Sequence, residues 1–162
     1  MQFKTGISGE FRCVLRDENM KIIRDTGWFS NRIVDQGLQN LNDNTPITYC
    51  VTSTDSSAVS DTETAVTGFL HKESSTLSNS VDLVSAPNYE RRSVKTWRFS
   101  AGEGTGTIAS VCLTNSGDEL FCRQLVTPAI VKAANQTLYV SYAITKWTEL
   151  IEATGTVVFV GI

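Results

Sequence analysis

From Ser93 to Lys146, apolar and polar residues alternate in successive runs, the period of a strand with one buried face. Val94, Trp97 and Phe99 fall near one face of the first run, with a slip at Lys95–Thr96. Ile108, Val111 and Cys112 compete for the inward face of the next. Leu120 to Val126 follows. Then Leu138, Val140, Tyr142 and Ile144 alternate cleanly with Tyr139, Ser141 and Thr145. Gly102-Glu103-Gly104-Thr105-Gly106 and Thr114-Asn115-Ser116-Gly117-Asp118 separate the runs with turn-forming residues. The pattern predicts a four-stranded antiparallel meander forming the main sheet.

Earlier in the chain, Phe11, Cys13 and Leu15 point one way from a strand over Glu10 to Arg16. Lys21 to Arg24 returns as a hairpin. Ser30 or Asn31 is placed to cap a short helix with Val34, Leu38 and Leu41 on one face, although Gly37 weakens it. Ile47 to Thr52 reads as a strand, and Ser53 to Glu63 as a polar loop. Thr64 to Asn88 is the least patterned stretch: Phe69 and Leu70 anchor it, and Val81, Leu83 and Val84 suggest a short strand. Thr154 to Ile162 is a strongly apolar strand, which must be central or pair with another chain because a bare apolar edge aggregates. Removing Gly155 to Ile162 is therefore expected to abolish solubility or assembly. Together these elements predict a mainly β fold: a single antiparallel β-sandwich, jelly-roll-like, with one short helix, spanning residues 1–162 as one domain.

Composition narrows the function. A net charge of −3 disfavours direct nucleic-acid binding, which needs a clustered positive field. No apolar run reaches membrane-span length, and the first residues lack the apolar core of a secretory signal, so the expectation is a chain made in cytoplasm. Cys13, Cys50, Cys112 and Cys122 have no Cys-x-x-Cys spacing and read as free buried thiols. Cys112 and Cys122 flank a hairpin and could be cross-strand neighbours.

Candidate chemistry is sparse. Asp25-Thr26-Gly27 matches the aspartic-protease tripeptide, but Arg24 precedes it and Trp28 follows it. A turn explains the same letters. The glycines at 102–106 lack the Gly-Lys-Ser/Thr of a phosphate loop and fit a hairpin loop with positive φ. His71 is the sole histidine and is expected in an exposed loop, without partners for a triad or a zinc site. Asp55, Asp61, Glu63 and Glu73 lack calcium-loop spacing and read as a solvated acidic face. Arg91-Arg92 with Trp97-Arg98 is a small basic-aromatic group suited to protein contacts. Asn135-Gln136-Thr137 is formally a glycosylation sequon. The sequence predicts no catalytic residue, no metal site and no cofactor.

Two stretches carry a resemblance. Asp25-Thr26-Gly27-Trp28-Phe29-Ser30-Asn31-Arg32-Ile33-Val34-Asp35-Gln36-Gly37-Leu38 resembles a segment of tailed-bacteriophage structural proteins, in which a Gly-aromatic-polar-Asn step leads into Ile-x-Asp-x-Gly-Leu. Trp97 to Val111, Leu120 to Val126 and Leu138 to Tyr142 are similar to the same group. Ser110 and Cys112 stand where its pattern has Glu and Gly. The resemblance implies a small β-rich virion protein, assembled in the host cytoplasm, that acts by contact in a neck, collar, tail or fibre-attachment region. Its implied partners are copies of itself in a ring and neighbouring connector, tail or fibre proteins. The alternatives are a receptor- or carbohydrate-binding module of a tail fibre, or a capsid decoration protein. Trp28, Trp147, Phe159, Arg91 and Arg92 are the interface candidates, whereas Trp97 and Phe29 are expected in the core.

Overall fold

The alternation of Phe11, Cys13 and Leu15 sets the first strand: all three side chains are buried, and they lie on β1 (Gln2–Arg16). The computed structural model describes residues 2–74, 76–84 and 89–151. In it, β1 pairs antiparallel along its whole length with β11 (Thr137–Ile151), in register from Gln2↔Ile151 to Arg16↔Thr137. Leu138, Val140 and Tyr142 of β11 continue the inward face as their alternation predicts. β8 (Tyr89–Phe99) lies on the other side of β11, and β7 (Thr76–Val84) beyond it. β2 (Ile22–Asp25) closes the expected hairpin on β1, and β3 (Phe29–Ser30) also pairs with β1. The first sheet thus runs β2-β1-β11-β8-β7 with β3 on β1.

The second sheet runs β4 (Arg32–Ile33), β10 (Leu120–Lys132), β9 (Gly106–Thr114), β5 (Tyr49–Ser53) and β6 (Phe69–Glu73). Side chains of both sheets interdigitate in one core. Phe11, Trp97, Phe99 and Val140 come from the first sheet, and Cys50, Leu113, Phe121 and Cys122 from the second. With one short helix, α1 (Asp35–Asn42), among the described residues, the fold is a mainly antiparallel β-sandwich. As in a jelly roll, the first and last of the described strands are neighbours. The hairpins β5–β6, β7–β8 and β9–β10 each stay within one sheet.

Several local expectations change. The stretch from Ser93 to Lys146 is not one meander: β8 and β11 belong to the first sheet, and β9 and β10 to the second. Gly102, Gly104 and Gly106 do take positive φ (85°, 59° and 133°), but their loop crosses between the sheets instead of closing a hairpin. Val94 does not share a face with Trp97, because β8 is in continuous register with β11 through Val94↔Ala143 and Trp97↔Val140. The unpatterned stretch after Thr64 contains β6 and β7, whose short polar runs mask the strand period. The run from Thr154 to Ile162, including Phe159, lies outside the described residues.

The helix also differs. Ser30 and Asn31 precede it, Val34 stands at its N-cap without a side-chain cap bond, and Leu38 is exposed while Gly37 and Asn40 are buried. Glycine is required at 37: a Cβ there would fall 2.0 Å from the Phe121 carbonyl oxygen. The close approach that turns this face toward β10 outweighs the usual cost of a helical glycine, about 1 kcal/mol.

All four cysteines are free and buried. Cys112 stands opposite Arg123 and Cys122 opposite Leu113, so the two thiols face opposite sides of the second sheet and are not cross-strand neighbours. Burial pushes the thiols of Cys13 and Cys112 up to about 12, and those of Cys50 and Cys122 also upward. Since the thiolate is the nucleophile, native protein at about pH 8 should resist iodoacetamide while the unfolded chain labels at all four positions. Fast labelling of any one thiol in the native state, read by intact mass, would contradict this burial.

Candidate functional site

The two sheets differ in how their outer faces are used. That of the second sheet is covered over part of its area, while Phe69 on β6 (58% exposed) and Val131 on β10 (69% exposed) stay open to solvent. Val34, Val51, Cys112 and Leu120 form a buried cluster there, with Val66 and Tyr49 packed against it. The segment between β5 and β6 straps this face down: Asp35 N–H donates to Asp61 O (2.8 Å) and Leu120 N–H to Thr64 O (3.0 Å). Arg32 pairs with Asp61 at 3.2 Å.

Arg123 anchors the strap from β10. It is 1% exposed, and its Nε and Nη2 donate to both Glu63 carboxylate oxygens at 2.7 Å. Nη2 also donates to the carbonyls of Ser57 (3.1 Å) and Ala58 (3.2 Å), while Nη1 lies 3.6 Å from Asp55 Oδ2. The guanidinium holds the Glu63 carboxyl below its ordinary range. Asp55 is held at about 2, chiefly by hydrogen bonds from Ser57 and Thr67, with Arg123 adding attraction. The acidic residues expected to form one solvated face are therefore divided. Asp55 and Glu63 hold Arg123, Asp61 holds Arg32, and Glu73 lies with His71 and Glu103.

The outer face of the first sheet gathers exposed apolar, aromatic and arginine side chains. Arg12, Val14 and Arg16 of β1 and Tyr139 and Ser141 of β11 floor a shallow depression of about 460 Å³, walled by Met20, Ile22 and Trp28. Met20, Ile22 and Trp28 are 46%, 48% and 38% exposed. The Arg92 guanidinium stacks 4.7 Å from the Trp28 ring centre and pairs with Glu10 at 3.1 Å. Arg16 stacks on Tyr139 at 5.7 Å. Arg12 donates from Nε (3.0 Å) and Nη2 (2.5 Å) to the Asp25 carboxylate. That hydrogen bond, with one from Gly27 N–H, holds Asp25 at about 2. Asp25-Thr26-Gly27 thus acts as the turn leaving the first hairpin. Thr26 Oγ1 accepts from Cys13 N–H, and Gly27 has φ +65°.

The interface candidates divide between the faces. Trp28 and Arg92 meet on the outer face of the first sheet. Arg91 is on the opposite face of β8, lining a groove with Ser93, Lys95, Ile144 and Lys146 of the first sheet and Pro46 and Ile47 ahead of β5. Arg91 and Arg92 are therefore not one basic group, and Trp97, fully buried, is not part of one either. Trp147 lies inside β11, across from Gly6. A Cβ on Gly6 would fall 2.0 Å from the indole, so its own sheet holds this ring half-buried. Trp97 is in the core as expected, and Phe29 is half-buried against it.

His71 is not in a loop. It stands on β6, half-buried, with its ring edge-on to Phe99 at 5.9 Å. His71-x-Glu73 on a strand was the available signal that both side chains share a face. Comparison with protein-family models, with curated proteins and with solved structures found no match to this chain.

Proposed function

We propose that this chain is a structural component of a tailed-phage particle, built into a neck, collar or tail through multi-copy contacts. The observation that supports it is the asymmetry of the sandwich. One outer face is partly covered by the strap and α1, which leave Phe69 and Val131 exposed singly, and the other gathers Trp28, Met20 and Ile22 among arginines around one depression. Exposed aromatic and apolar side chains next to arginine are the composition of contact hot spots. The resemblance of the 25–38 and 97–142 stretches to virion structural proteins supplies the setting. Binding energy in this reading comes from burying Trp28, Met20 and Ile22 against a neighbouring subunit, and the proposed chain has no bond-making role.

The test is size-exclusion chromatography with light scattering, followed by imaging of particles to locate the chain. Wild-type protein should form a closed multimer. Trp28→Ala combined with Ile22→Glu should weaken association by roughly a hundred-fold while leaving the thermal midpoint nearly unchanged, since neither side chain is in the core. A multimer indifferent to both substitutions, or particles without the chain, would overturn the reading. A tail-fibre receptor-binding module would instead give saturable glycan binding that depends on Trp28 and Tyr139.

A further inference from the structure

We propose that His71, Glu73 and Glu103 form a site for one first-row divalent cation, zinc first among them, which fastens the edge of the second sheet to the β8–β9 loop. The ligand atoms of the three side chains lie within 4.8 Å of one another. Zinc bound at about 2.0–2.2 Å holds its ligand atoms roughly 3–4 Å apart, so a tightening of about 1 Å closes the set.

The chain brings these groups together by two independent devices. Alternation along β6 puts His71 and Glu73 on one face, two residues apart, and the Phe99 ring sets the imidazole edge-on. Glu103 arrives from the glycine-rich loop. Gly104, at φ +59°, lets that loop settle onto the second sheet, where an added Cβ would be 3.1 Å from Thr52 Oγ1 and 3.5 Å from His71 Cβ. Gly102 N–H donates to Ala134 O (2.7 Å), and buried Lys132 donates from Nζ to Ser100 O (3.1 Å), which fixes the loop's base. Ser100 N–H donates to Glu103 Oε2 at 2.7 Å, the kind of outer contact that orients a ligating carboxylate.

One imidazole and two carboxylates suit zinc or manganese. Calcium prefers an all-oxygen shell, and copper(I) prefers sulfur. Two carboxylates also match the charge of a divalent ion, although the Lys132 ammonium close to Glu103 opposes it, so affinity in the micromolar range is expected. Bound there, the ion would tie β6, at one edge of the second sheet, to a loop that starts in the first sheet.

The test uses the full chain. Calorimetric titration with zinc should give one site per chain, and cobalt substitution should give a visible d–d spectrum without a thiolate charge-transfer band. His71→Ala should weaken binding roughly a hundred-fold. Glu103→Gln, which keeps an oxygen for Ser100 N–H and so keeps the loop, should do nearly the same. Unchanged near-ultraviolet dichroism of both variants would confirm that they fold. Binding unaffected by Glu103→Gln would overturn the proposal, as would no saturable uptake by the wild type. So would a thiolate band, which would move the ion to a cysteine such as Cys50, opposite Glu73.

Discussion

Arg123→Ala should lower the free energy of unfolding by about 3–5 kcal/mol, seen as a lower urea midpoint with an unchanged slope. The guanidinium is 1% exposed and gives two hydrogen bonds to Glu63 and two more to strap carbonyls. Removing it leaves the Glu63 carboxylate and two carbonyls facing a cavity, and the loss of those charge-assisted contacts dominates the effect. Arg123→Met with Glu63→Leu should recover most of the loss, because it removes the guanidinium together with the carboxylate that takes two of its hydrogen bonds, and Asp55 keeps its bonds from Ser57 and Thr67. A cost below about 1 kcal/mol for Arg123→Ala would show that the strap is held by other contacts. Acid should act on the same locus. Glu63 and Asp55 have folded pKa values below their unfolded ones, so their contribution is complete above the unfolded carboxylate range. It fades as pH falls through that range toward about 2. In Arg123→Met/Glu63→Leu the acid limb of the stability curve should be shallower.

Trp97→Ala should cost about 3–5 kcal/mol, the range for emptying a fully buried aromatic site. Trp97 lies between Val140 of β11 and Thr76 of β7 in the first sheet, so its loss hollows the shared core and not a rim. Trp97→Phe should cost much less. The indole Nε1 is buried without a hydrogen-bond partner among the described residues, and phenylalanine removes that donor while keeping most of the volume. Equal losses for Ala and Phe, measured by chemical denaturation, would mean that indole shape matters more than the orphan donor.

Strand identity was readable where alternation was long and clean. Phe11-Cys13-Leu15 and Leu138-Val140-Tyr142 both face the core as their period says. Alternation, however, reports which side of a strand is buried and not which strand lies beside it. Gly102 to Gly106 therefore read equally well as a hairpin or as a crossing between sheets. The helix face was misjudged because Leu38 was weighted by hydrophobicity, whereas packing is set by the close approach of Gly37 to Phe121. Arg123 escaped notice because an arginine in a strand reads as outward and solvated, and here the outward side is roofed by a loop some sixty residues earlier. The exposed face of the first sheet was only half legible. Trp28 and Arg92 were each picked out, but nothing local shows that they stack, or that Arg91 turns away. The grouping of His71 with Glu103 needs a contact between distant segments, which no local period encodes.

β1 has its main neighbour at the far end of the described chain, through the register from Gln2↔Ile151 to Arg16↔Thr137. A ribosome delivers the amino end first, so the edge of β1 that pairs with β11 stays open until the chain through β11 has been made. The β9–β10 hairpin, whose partners lie close in sequence, can zip early, but the first sheet closes only once β11 is present. Closure of the first sheet is therefore a late step, and its hazardous interval is the time during which the opening segment is exposed without its mate.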